Sequence, residues 1–512
     1  MAEQLVGSSI AAPGFKGINT QDSSVTLESG FATIANNCVI DKFGRIGARK
    51  GWLAKNSTST DLGSNPIQAI GELIGNDGTS YIICAGNNKL FKLSGGTLTT
   101  LTYGGGGSAP TITTNNWQMA PLNGKMYFYQ SGHDPLVFDP AVSTTQYKRV
   151  SEVSGYNGAV QQANCVVSAY GRTWSANTAT DKNTVQFSDL LSGHIFSSGT
   201  SGTLNVSQVW PAGADEIQAL AVHNNFLIIF GRRQILVYTN ATDPQALTLQ
   251  DTIVGTGCCA RDSVAVVGSD ILYLSDNGVR SFARVVQDRS APMKDISASI
   301  RDELVGALAN ETLSNIKAVY SDKNAFYLLT FPATGTTYCF DTRAPLESGA
   351  LRPTTWTFVP KSFCSLRNKT LLMGVNSYVG YYTGNKDHTL TYRMRYYSSY
   401  FDLGSPNALK MLKKIGFTLI GGSASSVSIK WSFDYSNLFN SQALQLGTGT
   451  ISEYGVAEYN ISEYSVGVVF GNTKIQAGGS GNILQLGLEC EIDNFEMSIQ
   501  KIDVFCKAGR TR

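Results

Sequence analysis

Short runs of alternating apolar and polar residues cover most of the chain, and Gly, Asn, Asp and Pro separate them. A period of two predicts β-strands with one buried face, and these four residue types favour turns. Two stretches differ. Residues 295–316 carry apolar positions near a 3.6-residue period with acids early, which predicts a helix, and residues 407–417 are short enough to suit either a helix or a strand. The pattern therefore predicts a mainly β protein with few helices.

One β unit recurs along the middle of the chain. It consists of paired strands joined by a short turn, as in "TSYIICAGNNKLFKLSG" and "HNNFLIIFGRRQILVYTN". The units are centred on Tyr81, Met126, Arg172, Leu227, Leu272, Phe326 and Leu371. A recurrence of roughly 45 to 55 residues is typical of propeller blades, which pack in a ring and thereby cover their edges. We expect a β-propeller of six or seven blades over residues 67–385, closed by a strand from the first 60 residues.

The pattern changes after about residue 385, where the predicted strands become longer. The segments "TYRMRYYSSYFDLG" and "LQLGLECEIDNFEMSIQKIDVFCKAGR" alternate apolar positions over many residues. We expect a C-terminal β-sandwich-like platform domain over residues 386–512, beginning near the polar loop "GNKDHT". Residues 1–66 are expected to form an N-terminal segment that contributes strands to the platform and to propeller closure.

Composition narrows the class of protein. Charged residues make up only 15% of the chain, against roughly 25% in an average globular protein, while hydrophobic residues make up 42%. This balance is typical of all-β and viral structural proteins and excludes a disordered chain. The net charge of +2 argues against a dedicated nucleic-acid clamp, which is usually strongly basic.

Apolar runs such as "FLIIF" are far shorter than the ~20 residues that cross a bilayer, so we expect no membrane span. The first residues include Glu3 and no early cation, which is unlike a secretion signal. We therefore expect synthesis in a cytoplasm.

Candidates for chemistry are few. The nine cysteines form no C-x-x-C pair and are odd in number, which argues against a disulfide framework or a zinc site. The four histidines lack metal-ligand spacing, and the chain has neither a G-x-S-x-G motif nor the S-x-D-x-G-x-x-W boxes of sialidase propellers. The glycine-rich stretch "GGGGS" lacks the Lys-Ser/Thr and helix of a phosphate loop. We expect no enzymatic activity, no catalytic residue, no metal and no cofactor.

Clustered cations are the remaining candidates. In "GRIGARKGW" the glycines between cations fit either a phosphate loop or a hairpin, and the hairpin is favoured, with Gly44 in the turn and Trp52 near the propeller. A second pair of cations, Arg232 and Arg233, lies in a predicted turn. A third pair, Arg393 and Arg395, lies among aromatic residues. This pattern occurs in proteins that bind single-stranded nucleic acid and also in any strand with one solvent-exposed face. The candidate contacts with other subunits or partners are Arg45, Arg49, Lys50, Arg232, Arg233, Arg393 and Arg395.

The N-terminal stretch "PGFKGINTQDSSVTLESGFATIANNCVIDKFGRIGARKGW" resembles the tail nozzle (tail tubular) proteins of short-tailed bacteriophages. In that family a "GINTQDS"-like segment precedes a strand pair of the form N-x-x-I-D…G-R-I-x-x-R-x-G. The matching positions are Gly17, Asn19, Asp22, Asn37, Ile40, Asp41, Gly44, Arg45, Arg49 and Gly51. The resemblance continues in "LAVHNNFLIIFGRRQILVY", "GTGCCARDSVAVVGSDILYLSDNGVRSF" and the C-terminal strands, and none of its motifs is catalytic.

The resemblance implies a structural component of a short viral tail. Such proteins are like a propeller with an added platform, six copies surrounding a channel that conducts and gates genome ejection. They sit below an adaptor ring and carry fibres or a needle, so the implied location is the virion tail and the implied partners are further copies, adaptor, fibres and passing double-stranded DNA. DNA carries a charge every ~1.7 Å, and a weakly charged wall would let it slide.

Two other functions share the predicted fold. A receptor- or glycan-binding tail propeller would present exposed aromatic clusters around one rim. A sialidase-like hydrolase would need paired carboxylates and three arginines in one pocket.

Overall fold

A computed structural model describes residues 5–24, 26–112, 116–287, 295–403, 407–422, 425–446 and 470–511. Strands dominate this part of the chain, and the N-terminal ones are short. They are β1 (Leu5–Ala11), β2 (Gly17–Ile18), β3 (Phe31–Asn36), β4 (Cys38–Ile40), β5 (Ile46–Ala48) and β6 (Trp52–Ala54).

The next four sheets are consecutive in sequence. Each begins with its innermost strand, except that the second begins with a short strand at its outer edge. The first contains β7 (Ala69–Ile74), β8 (Ser80–Gly86), β9 (Lys89–Ser94) and β10 (Thr97–Thr100). The second contains β11 (Thr102–Tyr103), β12 (Gln118–Leu122), β13 (Lys125–Tyr129), β14 (Leu136–Phe138) and β15 (Gln146–Arg149). The third contains β16 (Cys165–Ala169), β17 (Arg172–Ala176), β18 (Thr184–Phe187) and β19 (Gly202–Asn205). The fourth contains β20 (Ile217–His223), β21 (Phe226–Gly231), β22 (Gln234–Thr239) and β23 (Thr248–Val254).

Three further sheets complete the series, and the two α-helices of the described residues lie between the fifth and the sixth. The fifth contains β24 (Ala265–Val267), β25 (Asp270–Ser275) and β26 (Gly278–Ser281), followed by α1 (Phe282–Gln287) and α2 (Arg301–Ala309). The sixth contains β27 (Lys317–Ser321), β28 (Phe326–Phe331), β29 (Thr336–Asp341) and β30 (Arg352–Trp356). The seventh contains β31 (Ser362–Ser365), β32 (Leu371–Val375) and β33 (Tyr378–Tyr382), with β6 as its outer strand.

These seven sheets form a ring, because the innermost strand of the last, β31, lies against β7 of the first. Six sheets have four or more strands, and the fifth has three. The strand β6 completes the seventh by pairing Leu53 with Tyr381. All seven unit centres expected from the sequence fall in the second strand of their blade. The predicted fold class, a propeller of six or seven blades, is confirmed.

Asparagines set several of the tight turns between strands. Asn87 and Asn88 between β8 and β9, and Asn224 and Asn225 between β20 and β21, all have positive φ. Two-residue hairpins need this left-handed backbone, which asparagine tolerates better than most residues. The Asn-Asn pairs seen in the sequence therefore specify short turns between blade strands.

The remaining strands form a two-sheet sandwich. They are β34 (Tyr392–Ser398), β35 (Ala408–Gly421), β36 (Ser426–Phe433), β37 (Asn440–Gln445), β38 (Phe470–Gln476), β39 (Ser480–Gly481), β40 (Leu484–Ile492) and β41 (Met497–Thr511). One sheet runs β38-β35-β41-β5-β4, with β1 also paired to β41, and the other contains β3-β34-β40-β36-β37. Alternate residues such as Phe417 and Leu488 are buried between the sheets, so the sandwich expected in the fold class is confirmed.

One hydrophobic cluster extends from the sandwich into the fifth and sixth blades of the propeller. The outer strand of the sixth blade, β30, meets β3 of the sandwich where Asn36 lies beside Thr355. Buried side chains of that blade, such as Tyr327 and Phe340, belong to the same cluster as Phe417 of the sandwich. Burial of this shared apolar surface holds the two parts together.

The helix predictions were only partly right. Within residues 295–316 the α-helix spans Arg301–Ala309, and α1 was not predicted. All but the first residue of the stretch 407–417 belong to strand β35, which pairs with β41 on one side and β38 on the other. Sheet pairing on both edges decides the structure of a segment whose local pattern suits either state.

Candidate functional site

The stretch "GRIGARKGW" begins as a hairpin between β4 and β5, as the sequence predicted. Gly44 has φ +73 in the turn, and Asp41 Oδ1 accepts the backbone N–H groups of Phe43 and Arg45 at 2.8 and 3.0 Å. The guanidinium of Arg45 donates to Asp41 Oδ2 at 2.6 Å and lies 4.4 Å from the ring centre of Phe43. Arg45 therefore stabilises the turn that contains it.

Arg49 lies inside the junction between propeller and sandwich, with a side chain only 1% exposed. Its two terminal nitrogens donate to the two carboxylate oxygens of Asp387, both at 2.7 Å, and its Nε donates to Asn37 Oδ1 at 3.0 Å. The ring centre of Tyr392 is 4.1 Å from the guanidinium carbon. A buried cation needs this complete set of partners, because an unpaired charge away from water is strongly unfavourable.

The backbone around Arg49 packs closely against the loop that leads into the sandwich. A Cβ on Gly51 would lie 1.8 Å from the carbonyl oxygen of Lys386, so only glycine fits there. The Trp52 N–H donates to that oxygen at 2.9 Å, and the His388 N–H donates to the Trp52 carbonyl at 2.6 Å. The indole and imidazole rings also stack with centres 5.3 Å apart. The junction therefore fixes residues 49–52 and 386–388 against each other.

Burial keeps two ionisable groups at the junction in their neutral form at neutral pH. Burial raises the pKa of the Cys38 thiol and of the Tyr392 phenol well above their ordinary values. Both groups stay protonated. Lys50 is half-buried, and its backbone N–H donates to the Tyr382 hydroxyl at 3.1 Å. These features are typical of a structural contact rather than of an acid–base site.

Arg393 and Arg395 project from the opposite, solvent-exposed face of β34. Arg393 forms an ion pair with Glu489, which also accepts from Lys430 Nζ at 3.0 Å and from the Tyr397 hydroxyl at 2.6 Å. Burial alone would raise the pKa of Glu489, but the Tyr397 hydrogen bond and the Lys430 ammonium hold it below its ordinary value. Glu489 thus anchors a cationic face that remains accessible.

Arg232 and Arg233 lie in the turn between β21 and β22, far along the chain from the junction. Arg232 bridges two blades through Asp276, with Nη2–Oδ1 2.6 Å and Nε–Oδ2 3.1 Å. Arg233 is exposed, and both backbone N–H groups of the turn donate to Asp215. The seven candidate cations therefore do not form one site. Arg49 is buried behind the strand whose outer face presents Arg393 and Arg395, and the blade turn holds a separate pair.

Sequence reasoning missed the acidic partners of these cations. Asp387 lies 338 positions from Arg49, and Glu489 lies 96 positions from Arg393. No local pattern links residues that far apart. The only signal was the polar loop "GNKDHT", which contains Asp387 but was assigned only as a domain boundary.

The positions that carry the family resemblance have structural roles. Gly17 has φ +83, and a Cβ there would lie 2.5 Å from the Pro353 carbonyl oxygen. Asn19 Oδ1 accepts the backbone N–H groups of Gln21 and Asp22, both at 3.0 Å, which closes a tight turn. The motif therefore specifies how the N-terminal segment threads between propeller and sandwich.

Within the described ranges, no three His, Cys, Asp or Glu side chains lie close enough together to hold a metal ion. No helix in that part of the chain is long and apolar enough to cross a membrane.

Neither a protein-family model nor a curated protein sequence matches the chain. Solved structures give weak similarities to propellers. PorZ, a surface component of the type-IX secretion system of Porphyromonas gingivalis, matches with 11% identity and a TM-score of 0.37, over 69% of this chain and 43% of PorZ. The chain thus spans less than half of PorZ. The Pan2 WD40 domain of Neurospora crassa matches with 11% identity and a TM-score of 0.37, over 65% of this chain and 94% of that domain. At these values the similarities assign neither family nor function.

Proposed function

We propose that the protein is a structural subunit of a short bacteriophage tail and forms the distal nozzle through which the genome is ejected. One observation carries the proposal. The N-terminal stretch that resembles tail nozzle proteins forms the junction between propeller and sandwich, where Arg49 pairs with Asp387. The resemblance therefore falls on residues that define the architecture of the subunit.

The physical properties of the chain support a mechanical role. A sandwich that shares a hydrophobic cluster with two blades of the propeller suits a part that must keep its shape while DNA moves past it. The formal net charge of +2 keeps electrostatic attraction to DNA phosphates weak. Catalysis has no part in this proposal.

Contacts between subunits are assigned to the exposed cations. A closed ring needs one surface of each copy to meet a different surface of the next. Arg393, Arg395 and Arg233 are exposed, whereas Arg45 and Arg49 are occupied within the subunit. We propose the first group as contacts within a homohexameric ring or with the adaptor, fibre or needle proteins of the virion.

Particles assembled without this chain test the proposal. They should fail to deliver DNA to cells, and supplying the wild-type chain during assembly should restore delivery. The variant with both Arg393→Glu and Arg395→Glu should fold but be depleted from purified particles, while the variant with both Lys323→Glu and Arg367→Glu, at exposed positions of the sixth and seventh blades, serves as a charge-matched control. Normal delivery by particles that lack the chain would refute the proposed role.

A further inference from the structure

A second buried charge cluster lies at the centre of the propeller, at the end where the inner strands begin. Its members come from four blades. Asn116 and Asn164 precede β12 and β16 of the second and third blades, Arg261 and Asp262 precede β24 of the fifth, and Lys317 begins β27 of the sixth. No motif in the sequence brought these residues together.

Asp262 is the centre of the cluster. Its Oδ2 lies 2.7 Å from Arg261 Nη2 and 2.5 Å from Lys317 Nζ. Arg261 extends to the other side of the ring, where it donates to the carbonyl oxygens of Asn164 at 2.7 Å and Asn116 at 3.1 Å. Lys317 also donates to the Asn116 side chain. The network thereby connects the second and third blades to the fifth and sixth.

The network is buried and firmly supported. The side chains of Arg261, Asp262 and Lys317 are 8, 17 and 11% exposed. The Tyr327 hydroxyl donates to the Ser263 carbonyl at 2.7 Å and fixes the short turn that carries the pair. Burial alone would raise the pKa of Asp262, but Arg261 and Lys317 hold it well below its ordinary value, so the acid stays charged.

Blades in a propeller, like other stacked repeats, contact mainly their neighbours. Contacts between blades on opposite sides of the ring are therefore an additional constraint. We propose that Arg261, Asp262 and Lys317 form a cross-axis brace that couples the opening of the second and third blades to that of the fifth and sixth. The brace is a conformational device of the propeller and holds whatever the function of the protein.

Loss of stability alone would not identify a brace, because removing one partner of any buried ion pair is destabilising. The distinguishing property is which strands lose their protection from hydrogen exchange. Segments of a protein open cooperatively, and each opening exposes the amides of that segment to hydrogen exchange. If the brace couples blades on opposite sides of the ring, these blades should open together although they are distant in sequence.

The test is native-state hydrogen exchange of the full chain carrying Lys317→Met, which keeps most of the side-chain length and removes the charge. Exchange should be at least about tenfold faster in β12 and β16, although Lys317 belongs to neither blade, which corresponds to about 1.4 kcal/mol of lost coupling. Changes below twofold in those two strands would overturn the proposal.

Asp341→Asn is the matched control, because Asp341 pairs with Arg352 and Arg343 within and beside the sixth blade. This variant should accelerate hydrogen exchange in the sixth blade and leave the exchange rates of β12 and β16 within twofold of those in the wild type. Equal acceleration there by both variants would mean that any loss of a buried charge loosens the ring, and the brace would be rejected.

Asn116→Ala provides the reverse test and keeps the proposal falsifiable if Lys317→Met fails to fold. Asn116 is only half-buried, and the change removes its side-chain bonds to Lys317, to Arg261 and to the Ser314 carbonyl. Coupling is reciprocal, so exchange in β27 of the sixth blade should rise severalfold. An unchanged exchange rate in β27 would contradict the proposed brace.

Discussion

Arg49 and Arg393 lie on opposite sides of strand β34, and their side chains differ in exposure to water. Both pair with an acidic residue far along the chain. The Arg49 side chain is 1% exposed and surrounded by Tyr392, Trp356 and Phe358, while that of Arg393 is 49% exposed. We therefore expect the buried ion pair of Arg49 to be essential to the fold and the exposed ion pair of Arg393 to be dispensable for it.

The largest effect is expected when the buried pair is broken. Arg49→Ala should lower the free energy of unfolding by about 3 to 5 kcal/mol, because Asp387 is left without its partner in a mostly buried site. Arg393→Ala should cost less than about 1 kcal/mol, because water screens that pair and Glu489 keeps Lys430 and Tyr397. Urea unfolding of the two variants measures both values. Equal losses of unfolding free energy in the two variants would show that burial does not determine how much each arginine contributes to stability.

A smaller effect should follow from crowding the junction backbone without touching its charges. Gly51→Ala would place a methyl group against the Lys386 carbonyl, and a loss of about 3 kcal/mol is expected. Gly306→Ala in α2 is the control, since nothing lies within 4 Å of that position and alanine favours helix by up to about 1 kcal/mol. Thermal unfolding of the two variants should therefore shift in opposite directions. A neutral Gly51→Ala would mean that the close approach is not required.

The smallest effect concerns pH at the exposed face. The folded-state pKa of Glu489 lies below its ordinary value of 4.5, so the charged carboxylate stabilises the fold above that value. This contribution should be lost as pH falls through the folded pKa. The stability difference between wild type and Glu489→Gln should shrink in acid and stay constant near neutral pH. A difference that grows in acid would contradict the assigned sign.

The sequence predicted the architecture well because blade strands are local units. Alternation located the second strand of each of the seven blades, Asn-Asn pairs marked turns in two of them, and Gly44 marked the hairpin turn. The partners of the cations could not be predicted in this way. Asp387 reaches Arg49 only because the last blade is closed by β6, and Asp262 meets Lys317 only because the ring brings separate blades together. Such contacts depend on topology rather than on local pattern.

The most direct test of the proposed function is electron cryomicroscopy of particles that carry this chain. The proposal predicts a ring of six copies at the distal end of a short tail, with the propeller and sandwich of each copy fitting the density as one rigid unit. It also predicts that the face bearing Arg393 and Arg395 lies at a contact between proteins. Density for the chain outside the tail, or a copy number that is not a multiple of three, would contradict the account.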